Sequence, residues 1–475
     1  MFLLIGKTAS ILINSKCFRI DLCCGVFTIF AGCKHHHMHE NLNRAIVKLA
    51  IPNIISNITV PLLGLVDMAL MGRAGAAVYI GAVGLGGTIF SVLYAFFSFL
   101  RAGTTGFTAQ AYGAGDGTEV SYAFYRSIAI ALMATVLVLS LQVPIERVSM
   151  RLLNGSPELL ALTADYFRVR IWAAPAVLCL YAFNGWYIGM QNTVIPMAIA
   201  ILINAVNIGL SIVFVQGMQM GVRGVALGTV VAQYCGLLLA IAFMVWKYRH
   251  RLLSLRLAVL LQVDKLRRFF RVNSDFLIRS LLLILSIAFF TNQSARLGDN
   301  ILAVNMLLMQ LFYIFSYFTD GFAYAGEALV GRFKGSGQMP ELRRTVRLLL
   351  IWGAVLCLPF TLLYGIFPGE FVSLIAKQPE VVQQAEPYLG YMALIPIITV
   401  LAFLWDGIYI GATASRAIRN TMLIASLLVF VPAWAILMPR WGNHGLWIAF
   451  LFFMAARGVC MSLMARRAIF EPKSG

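Results

Sequence analysis

Residues 44–71, RAIVKLAIPNIISNITVPLLGLVDMALM, contain a single ionisable residue, Asp67, after Lys48. At about 1.5 Å per residue this stretch reaches roughly 40 Å as a helix, more than the ~30 Å hydrocarbon core of a bilayer. Pro52 and Pro61 each lack a backbone donor and clash with the preceding turn, so we expect the helix to bend there. The stretch therefore predicts a tilted or bent transmembrane helix.

Asp67 is the candidate functional residue of this helix. An aspartate within the hydrocarbon costs about 2.5–3.5 kcal/mol on insertion scales, so it usually faces protein or a water-filled cavity. Asn53, Asn57 and Thr59 give one side of the helix a polar lining. The alternative is that Asp67 lies near the helix end and reaches the headgroups. We favour a proton- or cation-binding carboxyl, because acids inside membranes are most often functional.

The composition indicates a polytopic helical membrane protein. Of 475 residues, 60% are hydrophobic and 12% charged, and the mean hydropathy is +0.84. A net charge of +18 would suggest nucleic acid in a soluble chain. Here the basic residues gather in particular loops, which the positive-inside rule explains without a nucleic-acid partner. The eight cysteines show no paired spacing, so we expect no disulfide framework, no metal site and no cofactor.

Residues 1–37 differ from the rest of the chain. They contain an apolar start, a basic patch and three consecutive histidines, which are weak evidence for a metal site. No small-residue cleavage site precedes a polar mature start, so a secretory signal is not supported. We expect translation to begin at Met38, or residues 1–37 to form a disordered extension.

From residue 44 onward, apolar blocks alternate with short breaks, and the pattern predicts an all-α protein with twelve transmembrane helices. The approximate spans are 44–71, 77–112, 119–143, 157–188, 192–216, 221–247, 266–296, 299–333, 341–367, 380–411, 416–438 and 443–469. The break after the sixth helix holds eight basic residues between 247 and 271, whereas the alternate loops are poorer in them. Both termini are therefore expected in the cytoplasm.

The chain repeats itself at a spacing near 220 residues. The segment NGWYIG at 184–189 matches DGIYIG at 406–411. Two further matches pair Gly103 and Gly113 with Gly321 and Gly331, and the residues from Arg73 with those from Arg296. Because six helices per half is an even number, the halves should be related by an axis along the membrane normal. We expect two pseudo-symmetric six-helix lobes, 38–247 and 266–475, joined by a basic cytoplasmic linker, 248–265.

Four segments together resemble one transporter family. They are PLLGLVD (61–67), QAYGAG (110–115), DGFAYAGEALVG (320–331) and FLWDGIYIG (403–411). They resemble the MATE (multidrug and toxic compound extrusion) family, in its DinF branch, over the chain from Met38 onward. The resemblance implies a twelve-helix antiporter of the bacterial inner membrane that exports amphipathic, often cationic compounds in exchange for protons or sodium. We expect a monomer surrounded by membrane lipid.

The resemblance also implies roles for particular residues. Asp67 matches the coupling acid of the branch, and Pro52, fifteen residues earlier, matches the proline at which the first helix bends. When ionised, Asp67 can attract a cationic substrate and accept hydrogen bonds from Asn207 and Thr229. When protonated it loses its charge, both interactions weaken, and the helix can repack.

The polar cluster of the family's N-terminal lobe maps onto Asn184, Asn207 and Thr229. Many relatives have an aspartate four residues after the position of Asn207, where this chain has Ser211. The loss of that carboxylate weakens the case for sodium, since a hard cation prefers anionic oxygen ligands. A proton needs only one carboxyl, so the sequence favours proton coupling.

The C-terminal lobe has three acids within predicted helices: Asp320, Glu327 and Asp406. Asp406 lies between Trp405 and Tyr409, a combination that suits a flat cation. The alternative for these acids is a structural role, in which they cap a helix, pair with arginines or lie at helix ends. For Glu327, near Arg332, we favour that alternative, and for Asp320 the sequence does not decide. Asn57 and Asn184 are candidate substrate-binding residues. Five more side chains could line an adaptable apolar chamber, although such residues are more often ordinary packing: Met68, Met306, Met309, Phe290 and Tyr313.

Other classes of function fit less well. A lipid-linked oligosaccharide flippase of the wider superfamily would imply more helices and a basic cavity, whereas the pattern predicts twelve helices and the notable intramembrane charges are acidic. An enzyme would need a metal-ligand set, a Ser/Lys or paired-Asp site, or a nucleotide loop. The sequence has no GxxxxGK[ST], which excludes ATP-driven transport by this chain alone. The repeat and the absence of a filter-like sequence disfavour a channel.

Overall fold

The computed structural model describes residues 41–73, 77–153, 155–253, 256–260, 262–375 and 379–471. For 60–63, 65–73, 77, 257, 374–375 and 379–381, only the backbone is described. The predictions for residues 1–37, with their histidine run, and for a start at Met38 lie outside the described residues. Every regular element in the described ranges is helical.

The first half of the chain consists of six long helices in the described ranges. They are α1 (Leu42–Arg73), α2 (Val78–Gly113), α3 (Gly117–Ser140), α4 (Pro157–Gly189), α5 (Val194–Gly217) and α6 (Gly221–Arg251). Helix α2 is interrupted at 97–98, where the Ser98 hydroxyl donates to the carbonyl of Ala95 at 2.8 Å. Helix α4 includes a 3-10 turn, Ile171–Ala173, and α5 ends in a π-helical turn, Val213–Gly217.

The second half contains α7 (Val263–Arg296), α8 (Asp299–Gly335), α9 (Met339–Ile366), α10 (Val382–Gly411) and a 56-residue helical segment, Ser415–Phe470. Gly442, with φ 53° and ψ −128°, divides this segment into α11 (415–441) and α12 (443–470). Glycine tolerates this backbone conformation, which other residues rarely adopt. The predicted all-α, twelve-helix fold is confirmed, and the predicted ends differ from the observed ones by a few residues.

Local signals explain two of these helix starts. The Asp116 carboxylate accepts the backbone N–H of Glu119 at 2.9 Å and caps α3. Ser156 accepts the N–H of Leu159 at 3.2 Å, and Pro157 follows at the first helical position of α4. Both arrangements satisfy N–H groups that have no partner within the helix. The eleven-residue helix Gln142–Leu152 between α3 and α4, which buries none of its residues, was not predicted.

The two halves repeat the same backbone contacts. In each contact a glycine lies so close to a neighbouring helix that an added Cβ would clash with a backbone carbonyl oxygen. The pairs are Gly185 with Arg101, Gly189 with Thr105, Gly407 with Ala323 and Gly411 with Glu327. Corresponding members are 222 residues apart (407 − 185 = 222; 323 − 101 = 222). Residues with positive φ recur at the same spacing: Gly115 with Gly337, and Gln191 with Thr413. The close packing of α2 on α4 is therefore repeated by α8 on α10.

This spacing corrects part of the predicted repeat. The match between residues 184–189 and 406–411 is in register. Gly113, however, corresponds to Gly335 (335 − 113 = 222), one helical turn beyond the Gly331 that the sequence pairing suggested. Residues four apart lie on the same face of a helix, so Gly331 and Gly335 are equally plausible partners of Gly113 by sequence alone. The match of residues 73–75 extends outside the described residues.

The chain between α6 and α7 lies against α3. Ser121 Oγ accepts the backbone N–H of Leu253 at 3.1 Å, and the Tyr125 hydroxyl donates to the carbonyl of Leu253 at 2.8 Å. At the start of α7, Lys265 forms an ion pair with Glu119 of α3. The predicted linker is thus attached to the first half over much of its described length.

Candidate functional site at the junction of the two halves

The two halves interlock where α2 and α8 end, and we call this side of the bundle the basic end. A Cβ on Gly113 of α2 would lie 1.9 Å from the carbonyl oxygen of Arg332 in α8. In return, a Cβ on Gly335 would lie 2.0 Å from the carbonyl oxygen of Gln110. The contact is reciprocal, as expected when a pseudo-two-fold axis passes through a crossing of equivalent helices. Only glycine allows the two backbones to approach this closely.

Polar contacts reinforce this seal. The side-chain amide of Gln110 donates to the carbonyl of Gly411 and to Thr413 Oγ1, both at 3.0 Å, so α2 is attached to the end of α10. The Gln191 amide, after α4, donates to the carbonyl of Ala328 in α8 at 2.8 Å. All three bonds are partly buried, and they close the basic end between the two halves.

A neutral polar cluster occupies the interface of α5 and α6. The Asn207 amide donates to Thr229 Oγ1 at 2.9 Å, and the Ser211 hydroxyl donates to Asn207 Oδ1 at 3.1 Å. The Thr229 hydroxyl donates to the carbonyl of Val225 at 3.0 Å. Asn207 and Ser211 are fully buried, and Thr229 nearly so. The structure thus brings together three of the predicted coupling residues.

Helix α1 runs beside this cluster. The Asn204 amide of α5 donates to the carbonyl of Thr59 in α1 at 3.3 Å. Both helices begin at the basic end, and a helix rises by about 10–12 Å over the eight residues from 59 to 67 or the seven from 204 to 211. Position 67 of α1 is therefore at about the same depth as Ser211. Asp67, Met68 and Pro61 are among the residues described by backbone alone, so their side chains lie outside the described part; Pro52 is buried within the continuous helix.

Two residues predicted to bind substrate, Asn57 and Asn184, have their side chains in the described structure. The Asn57 amide of α1 donates to the carbonyl of Tyr317 in α8 at 3.3 Å, a contact between the two halves. Asn184 of α4 has a buried Oδ1 without a hydrogen-bond partner in the described structure. An amide oxygen left unpaired in a protein interior is costly and is available to a ligand or to water.

Asp406, the predicted cation-binding acid, is held by two arginines. Its Oδ2 accepts from Arg279 of α7 at 2.9 Å and from Arg457 of α12 at 2.7 Å. One carboxylate thus binds two guanidinium ions, which occupies its hydrogen-bonding capacity. The ring centres of Trp405 and Tyr409 lie 5.8 Å apart, and cation binding beside them stays a prediction.

Glu327 pairs with an arginine, as the sequence reading favoured, but the partner is Arg101 rather than Arg332. Arg101 Nη1 and Nη2 contact the two Glu327 oxygens at 2.9 and 3.1 Å. The Arg101 guanidinium also lies 4.1 Å from the centre of the Tyr324 ring. Because Arg101 belongs to α2 and Glu327 to α8, this two-pronged ion pair joins the two halves inside the membrane.

Asp320, one turn before Tyr324 in α8, is different. Its only hydrogen bond in the described structure comes from Ser316 Oγ at 3.5 Å, the limit of such a contact. It lies within electrostatic range of Arg101, Arg279, Glu327 and Asp406, but it has no ion pair there.

Sequence reasoning missed the three arginines of this region. Arg101, Arg279 and Arg457 each lie inside a predicted span, and a search of the spans for bases as well as acids would have found them. Their partners are 226, 127 and 51 residues away in the chain, a distance over which no local pattern signals a pairing.

The predicted aromatic and methionine residues are distributed over the second half. Tyr409 is buried and donates to the carbonyl of Met461 at 2.7 Å, while the indole N–H of Trp405 is buried without a partner in the described residues. Phe290 packs against Trp447 at 5.0 Å between ring centres. Met309 is buried, Tyr313 half-buried and Met306 exposed. A role of these side chains in substrate binding stays a prediction.

Twelve helices in two repeated halves, with polar and charged side chains buried where the halves meet, define a membrane transporter. The MatE family model matches residues 52–213 and 276–435, and the chain belongs to that family. It is 35% identical to DNA damage-inducible protein F of Escherichia coli (strain K12), over 90% of this chain and 92% of that protein. The DinF resemblance is thereby confirmed.

More distant relatives agree with this assignment. The chain is 22% identical to the probable multidrug resistance protein NorM of Thermotoga maritima, covering 90% of this chain and 96% of that protein. Its fold matches a solved structure described as the outward-facing conformation of a multidrug resistance MATE family transporter of the MOP superfamily. The TM-score is 0.83 at 19% identity, over 90% of this chain and 96% of that one.

Proposed function

We propose that the protein is a secondary active exporter, which moves amphipathic and cationic organic compounds across the bacterial inner membrane in exchange for protons. The observation that carries this proposal is the interlocked basic end beside a buried polar cluster. The positive-inside rule assigns the basic end to the cytoplasm. With that end sealed, the structure corresponds to the state from which a substrate leaves to the outside, and rocking of one half against the other would open the opposite side.

Coupling is assigned to Asp67, with Asn207, Thr229 and Ser211 as its surroundings. Position 67 is at the depth of Ser211, and Asn207 has a second amide N–H that can bond an ionised carboxylate. Protonation would release that bond and any bound cation together, and Pro52 and Pro61 provide the points at which α1 can bend. Moving one charge through 100 mV supplies about 2.3 kcal/mol, enough to bias such a two-state helix.

Transport in inverted membrane vesicles tests this proposal. Ethidium uptake is measured with an imposed proton gradient and then with an imposed sodium gradient, for wild type and Asp67→Asn. We expect proton-driven uptake that Asp67→Asn abolishes. An unaffected mutant would remove Asp67 from the mechanism. The absence of gradient-driven uptake for every cationic dye tested would overturn the exporter itself.

Ser211 allows the choice of ion to be tested in the same vesicles. Ser211→Asp restores a carboxylate beside Asn207 and should add uptake driven by sodium, because two acids then face one site. Ser211→Ala, the matched control, should retain proton-driven uptake without sodium dependence. Sodium-driven uptake by wild type would show that the absence of this carboxylate is not decisive.

One observation favours a second function, a flippase for a lipid-linked oligosaccharide. Arg101, Arg279 and Arg457 are basic groups at the junction of the halves, and a pyrophosphate-linked lipid would suit them. Flipping of a fluorescent anionic lipid analogue in proteoliposomes, followed by quenching of the outer leaflet, separates the two functions. Flipping that Arg279→Gln abolishes, without dye transport, would put the flippase first.

A further inference from the structure

The three acids within α8 and α10 are not equivalent. Glu327 is held by both nitrogens of Arg101, and Asp406 accepts from Arg279 and Arg457. Asp320 has only the long contact from Ser316. Two of these acids are neutralised by direct ion pairs. The third, Asp320, has a carboxylate that can bind a proton or a cation.

The charged groups that act on Asp320 belong to four helices. Arg101 of α2, Arg279 of α7 and Asp406 of α10 lie within electrostatic range of Asp320, as does Glu327 of α8 itself. Each of these four already has an ion-pair partner of its own.

The remaining neighbours are uncharged. One turn towards the start of α8, the carbonyl of Tyr317 accepts the amide of Asn57 from α1. The residue directly after Asp320, Gly321, packs against α1 at the carbonyl of Ala50 and the side chain of Ile54. Asp320 is therefore located where α1, the helix of the proposed coupling acid, contacts the second half.

The charge balance makes the protonation of Asp320 consequential. With all groups ionised, three arginines (Arg101, Arg279 and Arg457) face three carboxylates, and the region is neutral. When Asp320 takes up a proton, the region becomes positive by one charge. An organic cation is then repelled, because charges interact strongly at low dielectric constant. A proton and a cationic substrate cannot both be held here, which is the condition for exchange.

We propose that Asp320 is a second proton-binding acid of the transport cycle, which holds the positive group of an organic cation when it is ionised. The proposal rests on the exporter function above. The first half then exchanges one proton at Asp67, and the second half exchanges another at Asp320. The arginines keep Glu327 and Asp406 ionised and out of this exchange.

The pH dependence of cation binding tests the proposal. Ethidium binding to the purified protein in detergent is measured by fluorescence across the acid range, and log Kd is plotted against pH. If two acids must release protons, Kd rises about a hundredfold per pH unit on the acid side, and Asp320→Asn reduces this to about tenfold. Asp320→Glu should keep the steeper dependence. Asp299→Asn, at the exposed far end of the same helix, should behave like wild type.

Each result decides the question. A slope in Asp320→Asn equal to that of wild type overturns the proposal, as does a tenfold dependence in wild type that only Asp67→Asn removes. Wild type that binds neither ethidium nor another organic cation removes the exporter function, and the second acid falls with it. If Asp320→Asn is not monodisperse, Asp320→Ser is measured in its place. A slope of log Kd against pH equal to that of wild type would overturn the proposal for this variant too.

Discussion

The polar cluster of the first half and the charge cluster of the second half occupy one repeated backbone frame but use different chemistry. Asn57 corresponds to Arg279 (279 − 57 = 222) and Asn184 to Asp406 (406 − 184 = 222). The described cluster of α5 and α6 is neutral and joined by hydrogen bonds, whereas the second half holds its groups by ion pairs. Neutral hydrogen bonds contribute about 1 kcal/mol net, and breaking a buried ion pair costs several times that. The first half can rearrange cheaply, and the second cannot.

The largest effect is expected for Asp406→Asn. This change leaves two guanidinium groups together, and Arg457 is 1% exposed, so the free energy of unfolding should fall by about 3–5 kcal/mol. The equivalent change in the first half, Asn184→Ala, should cost far less, because the Asn184 oxygen has no partner to lose in the described structure. Thermal unfolding of both variants in detergent compares them. Equal losses would contradict the distinction between the halves.

A smaller loss, about 2–3 kcal/mol, is expected for Glu327→Gln. Arg101 loses its two-pronged partner but keeps the Tyr324 ring and the nearby charge of Asp320. The double variant Arg101→Met/Glu327→Leu should recover most of the stability, since it leaves no charge unpaired. Denaturant titration of the three proteins measures this. A double variant less stable than Glu327→Gln would mean that the ion pair itself stabilises the fold.

Gly113→Ala should affect the junction of the halves rather than either cluster. The added Cβ would lie 1.9 Å from the carbonyl oxygen of Arg332. Such overpacking should destabilise the conformation with the basic end closed by about 1–3 kcal/mol. Gly209→Ala is the control, because a Cβ there meets no atom within 4 Å. Spin labels on α3 and α9 would report a larger separation at the basic end only for Gly113→Ala. No change in that distance would show that the crossing does not set the conformation.

The smallest effect, about 1 kcal/mol, is expected for Ser211→Ala. Asn207 Oδ1 loses one donor, while its amide keeps Thr229. Thermal unfolding detects this difference, and Thr135→Ala serves as a control with a similarly buried hydroxyl that bonds only within its own helix. A loss as large as that of Asp406→Asn would mean that the first half is as rigid as the second.

The fold was largely predictable from the sequence. Spans of about twenty apolar residues must form helices, because backbone groups have no other partners in lipid. The neutral cluster was predictable in part, since the family resemblance named Asn207, Thr229 and Ser211, and the structure joins all three by hydrogen bonds.

The charge cluster was not predictable in the same way. Asp406 was expected to bind a cation, and it is held by Arg279 and Arg457 from two other helices. An acid shows in the sequence, but its neutralisation depends on the rotation of helices about their own axes. No periodicity in a nearly uniform apolar helix reports that rotation.

The attachment of the linker to α3 determines where the molecule can hinge. Ser121 and Tyr125 hold Leu253, so the chain just after α6 travels with the first half as a rigid extension. A hinge between the two halves would then lie near Gln262, directly before α7. Beyond that point, the Lys265–Glu119 ion pair joins α7 to α3. A rotation of α7 away from α3 would have to break this pair. The basic segment predicted as a linker between the halves is thus, at its start, part of the first half.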